Sequence, residues 1–361
     1  MQTRAAVAFA QNAPLEIVML DLAKPGPDEV LVQMKATGLC HSDLSLIEGK
    51  IGTILGFPVV PGHEGAGLVV EVGSAVTSLK PGDTVVPVSV PECGQCANCT
   101  SGKTNVCLQL RMPRPSPFSY NGQPVASFTG TGTFAEYSVI AETRVAKVRS
   151  DARADVACYV GCGVLTGVGA VLDTAKVTAG SSVAIFGLGG IGLCALEGAR
   201  ISGATKIVAI DINPAREAIA RAHGATHFIN PREVEDVVAK VREITGGGAD
   251  YTFECVGNVA LLSQAIDASN PFWGTVVSVG IPGEGVRMDF DPGTIMTGRK
   301  ITGSLLGGSR TRTTIPRLVD WHADGVLHLD DLITHRLTLD EINKGFDMMK
   351  SGEAIRSVVI F

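Results

Sequence analysis

A chain of 361 residues with 30 Lys+Arg against 36 Asp+Glu carries a formal net charge of −6, and 45% of it is hydrophobic. That apolar share excludes an intrinsically disordered chain, and the acidic balance argues against a nucleic-acid partner, which calls for a basic patch. At roughly 100–200 residues per domain, two domains are expected. The first ten residues hold one positive charge and an apolar run from Ala5 to Ala10, too short for the core of a signal peptide, so they read as a first strand. No apolar run reaches the length of about 18 residues that marks a transmembrane helix, so no membrane partner is expected and the location is read as cytoplasmic.

Residues 1–160 read as β-rich. Apolar runs at Glu29–Met34, Gly67–Val72 and Thr84–Val88 are separated by Pro25-Gly26-Pro27 and Pro81-Gly82-Asp83, the pattern of a compact barrel with long loops. Two short polar motifs lie in this half: Cys40-His41-Ser42-Asp43 after a strand, and Gly62-His63-Glu64 after Pro61. By spacing alone a lone Cys40 is more often core, and a lone His63 in a Gly-rich turn more often structural, than a ligand.

The nine cysteines are an odd count without a signal peptide, which fits a reducing compartment. Four of them, Cys93, Cys96, Cys99 and Cys107, form a C-x2-C-x2-C-x7-C array. Four thiolates this close can wrap one ion tetrahedrally, the closed pattern of structural zinc. An iron–sulfur run would have a shorter last gap and a following proline, whereas Leu108 follows here. Cys158, Cys194 and Cys255 lie in apolar surroundings and read as small buried hydrophobes.

From about 164 to 305 the character changes. Strand-like runs at Val183–Phe186, Ile207–Ile210, Tyr251–Cys255 and Thr275–Val279 alternate with Ala-rich helical segments, which predicts βαβ units and a parallel sheet. After the first of these strands comes Gly187-Leu-Gly189-Gly-Ile-Gly192, opening a helix read as Leu193–Ser202. A lone G-x-G-x-x-G is weak, but here it follows a strand and opens a helix. Gly187 suits the tight turn, Gly189 the approach of a pyrophosphate, and Gly192 close helix–strand packing. Asp211, about 20 residues on, ends the next strand, where a carboxylate accepts the ribose hydroxyls and repels a 2′-phosphate; NAD is therefore expected over NADP. The alternative for Asp211 is a cap on the turn before Pro214. The chain closes with short elements and a final strand at Ser357–Phe361.

Six separated motifs then occur in one order: Gly38-Leu-Cys40-His-Ser42-Asp43, Gly62-His63-Glu64-Gly-Ala-Gly67, the four-cysteine lobe, Gly161-Cys162-Gly163, Gly187–Gly192, and Ser351-Gly-Glu-Ala-Ile-Arg356. From about residue 10 to the C-terminus the chain resembles the zinc-dependent medium-chain alcohol dehydrogenases. The resemblance implies a GroES-like β-rich catalytic domain over 1–163 and 306–361, with an inserted Rossmann doubly wound parallel-sheet domain over 164–305. It implies two zinc ions per chain. The catalytic one would be held by Cys40, His63 and Cys162, with Glu64 beside it and Asp43 orienting His63. The structural one would be held by the four-cysteine lobe. Cofactor contacts are implied for His41, Thr166, Gly187, Gly189, Ile191, Gly192, Asp211, Arg216, Val279, Ile281 and Arg356. The family expectation is also a homodimer or homotetramer.

The implied reaction is NAD-dependent oxidation of an alcohol. Zinc acts as a Lewis acid, Ser42 takes the hydroxyl proton, and a hydride passes to the nicotinamide. The relay position matched by histidine in many relatives is Ser45 here, and a serine cannot be a base near neutral pH, so the last proton step is expected to use solvent. Pocket-lining candidates are Ser42, Ser89, Phe128 and Thr129. A serine at position 89, where liver-type relatives carry a large aromatic, predicts a wide inner pocket and a bulky primary aryl or allylic alcohol. The alternative is an S-(hydroxymethyl)thiol, or formaldehyde, dehydrogenase, whose anionic substrate would use Arg111, Arg114, Arg310 and Arg312 at the pocket mouth. A minor alternative is an inactive NAD-binding structural protein.

Overall fold

The computed structural model describes residues 1–51, 55–112, 114–283 and 285–361. They form two compact units, one of Met1–Cys162 with Arg310–Phe361, the other of Gly163–Ser309.

The first unit is built on two sheets. The smaller has five strands in the order Gln2–Val7, Glu16–Leu22, Phe118–Tyr120, Gln123–Ser127 and Val59–Val60. The larger runs Val145–Lys147, Thr84–Pro87, Glu64–Val72, Glu29–Gly38, Arg356–Ile360 and Ile333–Leu337, and Tyr137–Ala141 also pairs with Glu29–Gly38. Glu29–Gly38 is central, and the apolar run read as Glu29–Met34 continues to Gly38, delivering Cys40 just beyond the sheet. Its register against Glu64–Val72 shifts between Met34 and Ala36. Beside the shift, a Cβ on Gly67 would stand 2.2 Å from the Gln33 carbonyl oxygen, so only glycine fits. The cores are aliphatic and aromatic: Leu20, Phe118, Phe134 and Leu39 in one cluster, Val30, Val32, Met34 and Val85 in another. The chain's last strand, Arg356–Ile360, pairs antiparallel with Glu29–Gly38, so the C-terminal segment completes a sheet begun by the N-terminal part of the chain.

The second unit is a six-stranded sheet, parallel throughout, in the order His227–Ile229, Lys206–Ile210, Ser182–Phe186, Tyr251–Glu254, Thr275–Ser278 and Lys300–Gly303. In chain order this is 3-2-1-4-5-6, the doubly wound arrangement whose ligand crevice lies at the carboxyl ends of strands one and four. Ser182–Phe186 is buried along its whole length, as a central parallel strand must be.

Two elements differ from the sequence reading. The helix read as Leu193–Ser202 spans Gly190–Ile201: its first turn holds Gly190 and Gly192, whose poor helix propensity hides it. Residues Ala154–Ala175 form one helix with π-type turns at Val160–Val164 and Ala170–Ala175, where the glycines around Cys162 suggested only a motif. By length and mean hydropathy that helix is also apolar enough to span a membrane, although it holds no unbroken run of 18 apolar residues. However, 89% of its most apolar window is buried within the protein, as expected of a core helix.

Candidate active site

Cys40 caps the N-terminus of the helix His41–Ile47 in extended backbone geometry, and Asp43, three residues on, turns back to it. The Asp43 carboxylate is fully buried and accepts three hydrogen bonds. They come from the Cys40 amide at 3.2 Å, the Gly62 amide at 3.0 Å and the His63 ring Nδ1 at 2.9 Å. Gly62 sits at φ +92°, a left-handed conformation that favours glycine, and this bend aims the His63 ring. With Nδ1 committed to Asp43, Nε2 is the free ligand atom. Glu64 begins the strand Glu64–Val72, and Cys162 sits in the π-type turn Val160–Val164. One ligand atom from each of Cys40, His63, Glu64 and Cys162 falls within 4.8 Å of the others, and all four residues are buried.

The charges fit a cation. Burial pushes Glu64 up to about 8, against the pull of Arg356, whose Nη1 lies 3.1 and 3.3 Å from the two Glu64 oxygens. The Arg356 guanidinium also stacks 5.7 Å over the Tyr159 ring. Cys40 accepts a hydrogen bond from the Cys162 thiol and is held well below the ordinary thiol range, while Cys162, the donor, is pushed well above it. Burial alone would depress His63, but Asp43 and Cys40 hold it well above its usual value. Four acidic groups crowd one imidazole and one guanidinium, and a dication relieves that imbalance. Ser42 is half-buried, with Oγ 3.8 Å from the Cys40 sulfur. His41 is exposed and Ser45 half-buried. The Phe128 ring stands edge-on to His63, with centroids 5.5 Å apart, which sets the Phe128–Gly130 turn beside the ligands.

The four-cysteine lobe is assembled as its spacing implies. The sulfurs of Cys93 and Cys99 are 3.9 Å apart and those of Cys96 and Cys107 3.8 Å, with no disulfide. A tetrahedron with Zn–S bonds of about 2.3 Å has edges of about 3.8 Å, so the donors match zinc.

In the second unit the glycine-rich turn shows why each glycine is there. Gly187 has φ +91°, and a Cβ on it would meet Val256 Cγ2 at 2.3 Å. A Cβ on Gly192 would stand 1.9 Å from the Gly187 carbonyl oxygen. Gly189, the residue before the helix, faces open space, which leaves its backbone free to meet a phosphate. Ile191 lies in that first turn, and a Cβ on Gly167, next to the buried Thr166, would meet the Ile191 carbonyl at 2.4 Å. Asp211 accepts the Leu188 amide at 2.7 Å and the Asn213 amide at 2.8 Å, the capping role given as the alternative for this side chain. Arg216 opens the helix Arg216–Ala222 and is half-buried. Val279 is buried and Ile281 is 60% exposed. Sequence reasoning missed Glu254, whose Oε1 accepts the amides of Val256, Gly257 and Asn258 and fixes the loop that packs on Gly187. It also missed the Glu64–Arg356 pair and Arg144; all three depend on partners that spacing does not show.

Of the four loop arginines, Arg114 is taken by Asp28 and Glu29. Arg312 donates to the Val145 and Glu92 carbonyls and to Ser78. Arg111 and Arg310 are exposed and have no ion-pair partner among the described residues.

Two family models match the chain: "Alcohol dehydrogenase GroES-like domain" over residues 26–150 and "Zinc-binding dehydrogenase" over 190–324. An S-(hydroxymethyl)glutathione dehydrogenase of Paracoccus denitrificans is 47% identical, with all of both chains covered. Among solved structures, an alcohol dehydrogenase zinc-binding domain protein from Burkholderia ambifaria superimposes with a TM-score of 0.94 at 39% identity, covering 100% of this chain and 99% of that one. A benzyl alcohol dehydrogenase from Acinetobacter calcoaceticus gives 0.92 at 32%, with the same coverage. The expectation of a bulky aryl or allylic alcohol is corrected by the first of these likenesses, which is stronger and full-length. It rested on the small side chain of Ser89 alone; the structure lays the Arg144 guanidinium on the Ser89 carbonyl, a charge that the size of the side chain does not reveal.

Proposed function

The chain belongs to the zinc-dependent medium-chain alcohol dehydrogenases, and we propose that it oxidises the S-hydroxymethyl adduct of an anionic thiol. The reaction is R–S–CH2OH + NAD+ → R–S–CHO + NADH + H+. The observation that carries this reading is the 47% identity, end to end, with an S-(hydroxymethyl)glutathione dehydrogenase. Exposed Arg111 and Arg310, without acidic partners among the described residues, supply cations for the thiol's carboxylates.

Cys40, His63 and Cys162 would hold the catalytic zinc, with Glu64 in reach as a fourth donor, and Cys93, Cys96, Cys99 and Cys107 the structural one. When bound, zinc supplies Lewis acidity that makes the substrate hydroxyl easier to deprotonate. Asp43 takes up His63 Nδ1 and leaves Nε2 as the ring atom that would hold the metal. Ser42 Oγ would accept a hydrogen bond from the substrate hydroxyl and give up its own proton as it takes that one, so the proton passes through it to solvent; Ser45, unable to act as a base, offers no protein acceptor for that last transfer. The amides opening Gly190–Ile201 would bind the pyrophosphate beside Gly187, Gly189, Ile191 and Gly192; His41 and Arg356 are proposed as further cofactor contacts. Asp211 accepts the ribose hydroxyls and disfavours a 2′-phosphate, which selects NAD, while Arg216 lies by the adenosine. Thr166, Val279 and Ile281 position the nicotinamide.

The catalytic domain is proposed as 1–163 with 306–361, and the cofactor domain as 164–305. Self-association, as a homodimer or homotetramer, would use the open edge strand Lys300–Gly303, exposed along its length and flanked by exposed Met296 and Leu305. Nine cysteines without a disulfide among the described residues favour the cytoplasm.

Initial rates of NAD reduction with formaldehyde, with and without glutathione, test the substrate. Thiol-dependent turnover far above that of simple alcohols supports the proposal. Equal rates with and without thiol refute it.

A further inference from the structure

Arg144 is the last residue of a single 3-10 turn, Glu142–Arg144, and only 8% exposed. A buried guanidinium cannot shed its proton and normally stands against a carboxylate. Here no carboxylate lies within ion-pair distance among the described residues. Its Nη1 donates to the Ser89 carbonyl, and its backbone carbonyl accepts the Val88 amide at 2.9 Å. On its other side is the Phe128–Gly130 turn: a Cβ on Gly130, at φ +70°, would come to 3.4 Å from Arg144 Nε. Phe128 in that turn packs on the candidate zinc ligand His63, and Thr129 holds a left-handed backbone at φ +53°. The guanidinium therefore lies against Ser89 and against Gly130 of the turn whose Phe128 packs on His63, the two stretches that the resemblance assigns to the substrate pocket. Burial lowers it to about 10 and Arg114 adds to that, with only Cys107 opposing. Arg114 is itself neutralised by Asp28 and Glu29.

We propose that Arg144 is a specificity-determining residue, the buried positive pole behind the pocket wall that selects carboxylate-bearing adducts over neutral ones. This rests on the thiol-adduct reading above and adds to it a named source of discrimination. A fixed cation in a desolvated wall acts on an anionic substrate without touching it, and salt screens it less than it screens an exposed arginine. It differs from Arg111 and Arg310 in just that respect.

The test compares kcat/KM for the S-hydroxymethyl adducts of glutathione and of 2-mercaptoethanol in wild type, R144Q and R144K, with zinc content measured on each preparation. R144Q is expected to reduce the preference for the anionic adduct about tenfold, mainly through KM, and R144K to restore most of it. Raising salt to 0.5 M should leave the wild-type preference largely in place. Equal losses on both adducts, or loss of the lobe zinc together with the preference, would overturn the proposal and make Arg144 a counter-cation for the cysteine lobe. Should R144Q fail to fold, R144K and the salt series still decide. Should wild type oxidise neither adduct, the thiol reading falls by itself. Arg144 is then judged with a carboxylate-bearing primary alcohol against its uncharged amide: a preference lost in R144Q upholds its role, and a preference unchanged ends it.

Discussion

Replacing Asp43 with asparagine removes one charge and one acceptor from a side chain that has three donors to satisfy. The carboxylate receives the Cys40 amide on Oδ2 and the Gly62 amide and His63 Nδ1 on Oδ1. An asparagine must turn its NH2 toward either set. Toward Cys40 it opposes one amide donor; toward the other side it opposes two, so the first orientation is favoured. The remaining oxygen then serves His63 without its charge. The site thus loses one bond outright and the charge assistance of another, about 1.5–3 kcal/mol in a fully buried position. That corresponds to a zinc affinity lower by roughly 10–100-fold, the range for a partner that orients a ligand. The assay is zinc per chain after dialysis against a graded chelator, with the four-cysteine lobe as the internal standard. D43N is expected to fall toward one zinc per chain at a chelator strength where wild type keeps both. Retention of both ions along the wild-type curve would refute the claim that Asp43 sets the His63 ligand.

Gly192→Ala forces a Cβ to within 1.9 Å of a backbone oxygen, which cannot swing away; NADH affinity by fluorescence titration should drop at least about 30-fold with zinc content unchanged. Cys107, buried and pushed up to about 12 as a thiol, needs the metal to hold its thiolate. C107S should therefore lose one zinc and melt roughly 5–10 °C lower, and a variant with both zincs and an unchanged Tm would count against the lobe. Glu197 is buried 3.0 Å from His223 Nδ1 and 2.6 Å from Arg200 Nη2; burial pushes it up, yet these partners hold it below the ordinary carboxylate range. A lowered folded value means its contribution is present above the unfolded carboxyl pKa of about 4.3 and fades as pH falls through the folded one. Thermal unfolding between pH 3 and 6 should show wild type losing Tm more steeply than E197Q below about pH 4, and parallel curves would contradict this.

What could be read from the sequence was whatever chemistry is local along the chain. The cysteine lobe spans 93–107, so its spacing already contains its geometry. The dinucleotide turn lies within six residues between a strand and a helix; the reasons for Gly187 and Gly192 recur in the structure as clashes that a side chain would cause, while Gly189 faces open space. Cys40, His63 and Cys162 are far apart in sequence, and only the resemblance joined them; the chain joins them through a long central strand, a left-handed glycine and a π-type turn. The turn at Cys162 was illegible because glycines on both sides erase the helical signal. Arg144 and Glu254 were illegible because their partners are backbone groups, which leave no residue pattern. The substrate was misread because one small side chain, Ser89, was taken as empty space without knowing what lay behind it.

The ribose-binding role proposed for Asp211 would share its carboxylate with the glycine-rich turn, and that constrains anyone who would redesign the nucleotide preference. Removing its charge to admit a 2′-phosphate also withdraws the acceptor that pins the Leu188 amide inside the glycine-rich turn. Selectivity and affinity are therefore coupled at this position. An alanine would loosen the grip on both nucleotides together, whereas an asparagine keeps an oxygen for Leu188 and gives up the repulsion, at the cost of the Asn213 bond. The workable route to the phosphorylated cofactor starts from that substitution and adds a cation elsewhere, leaving the turn's own scaffold intact.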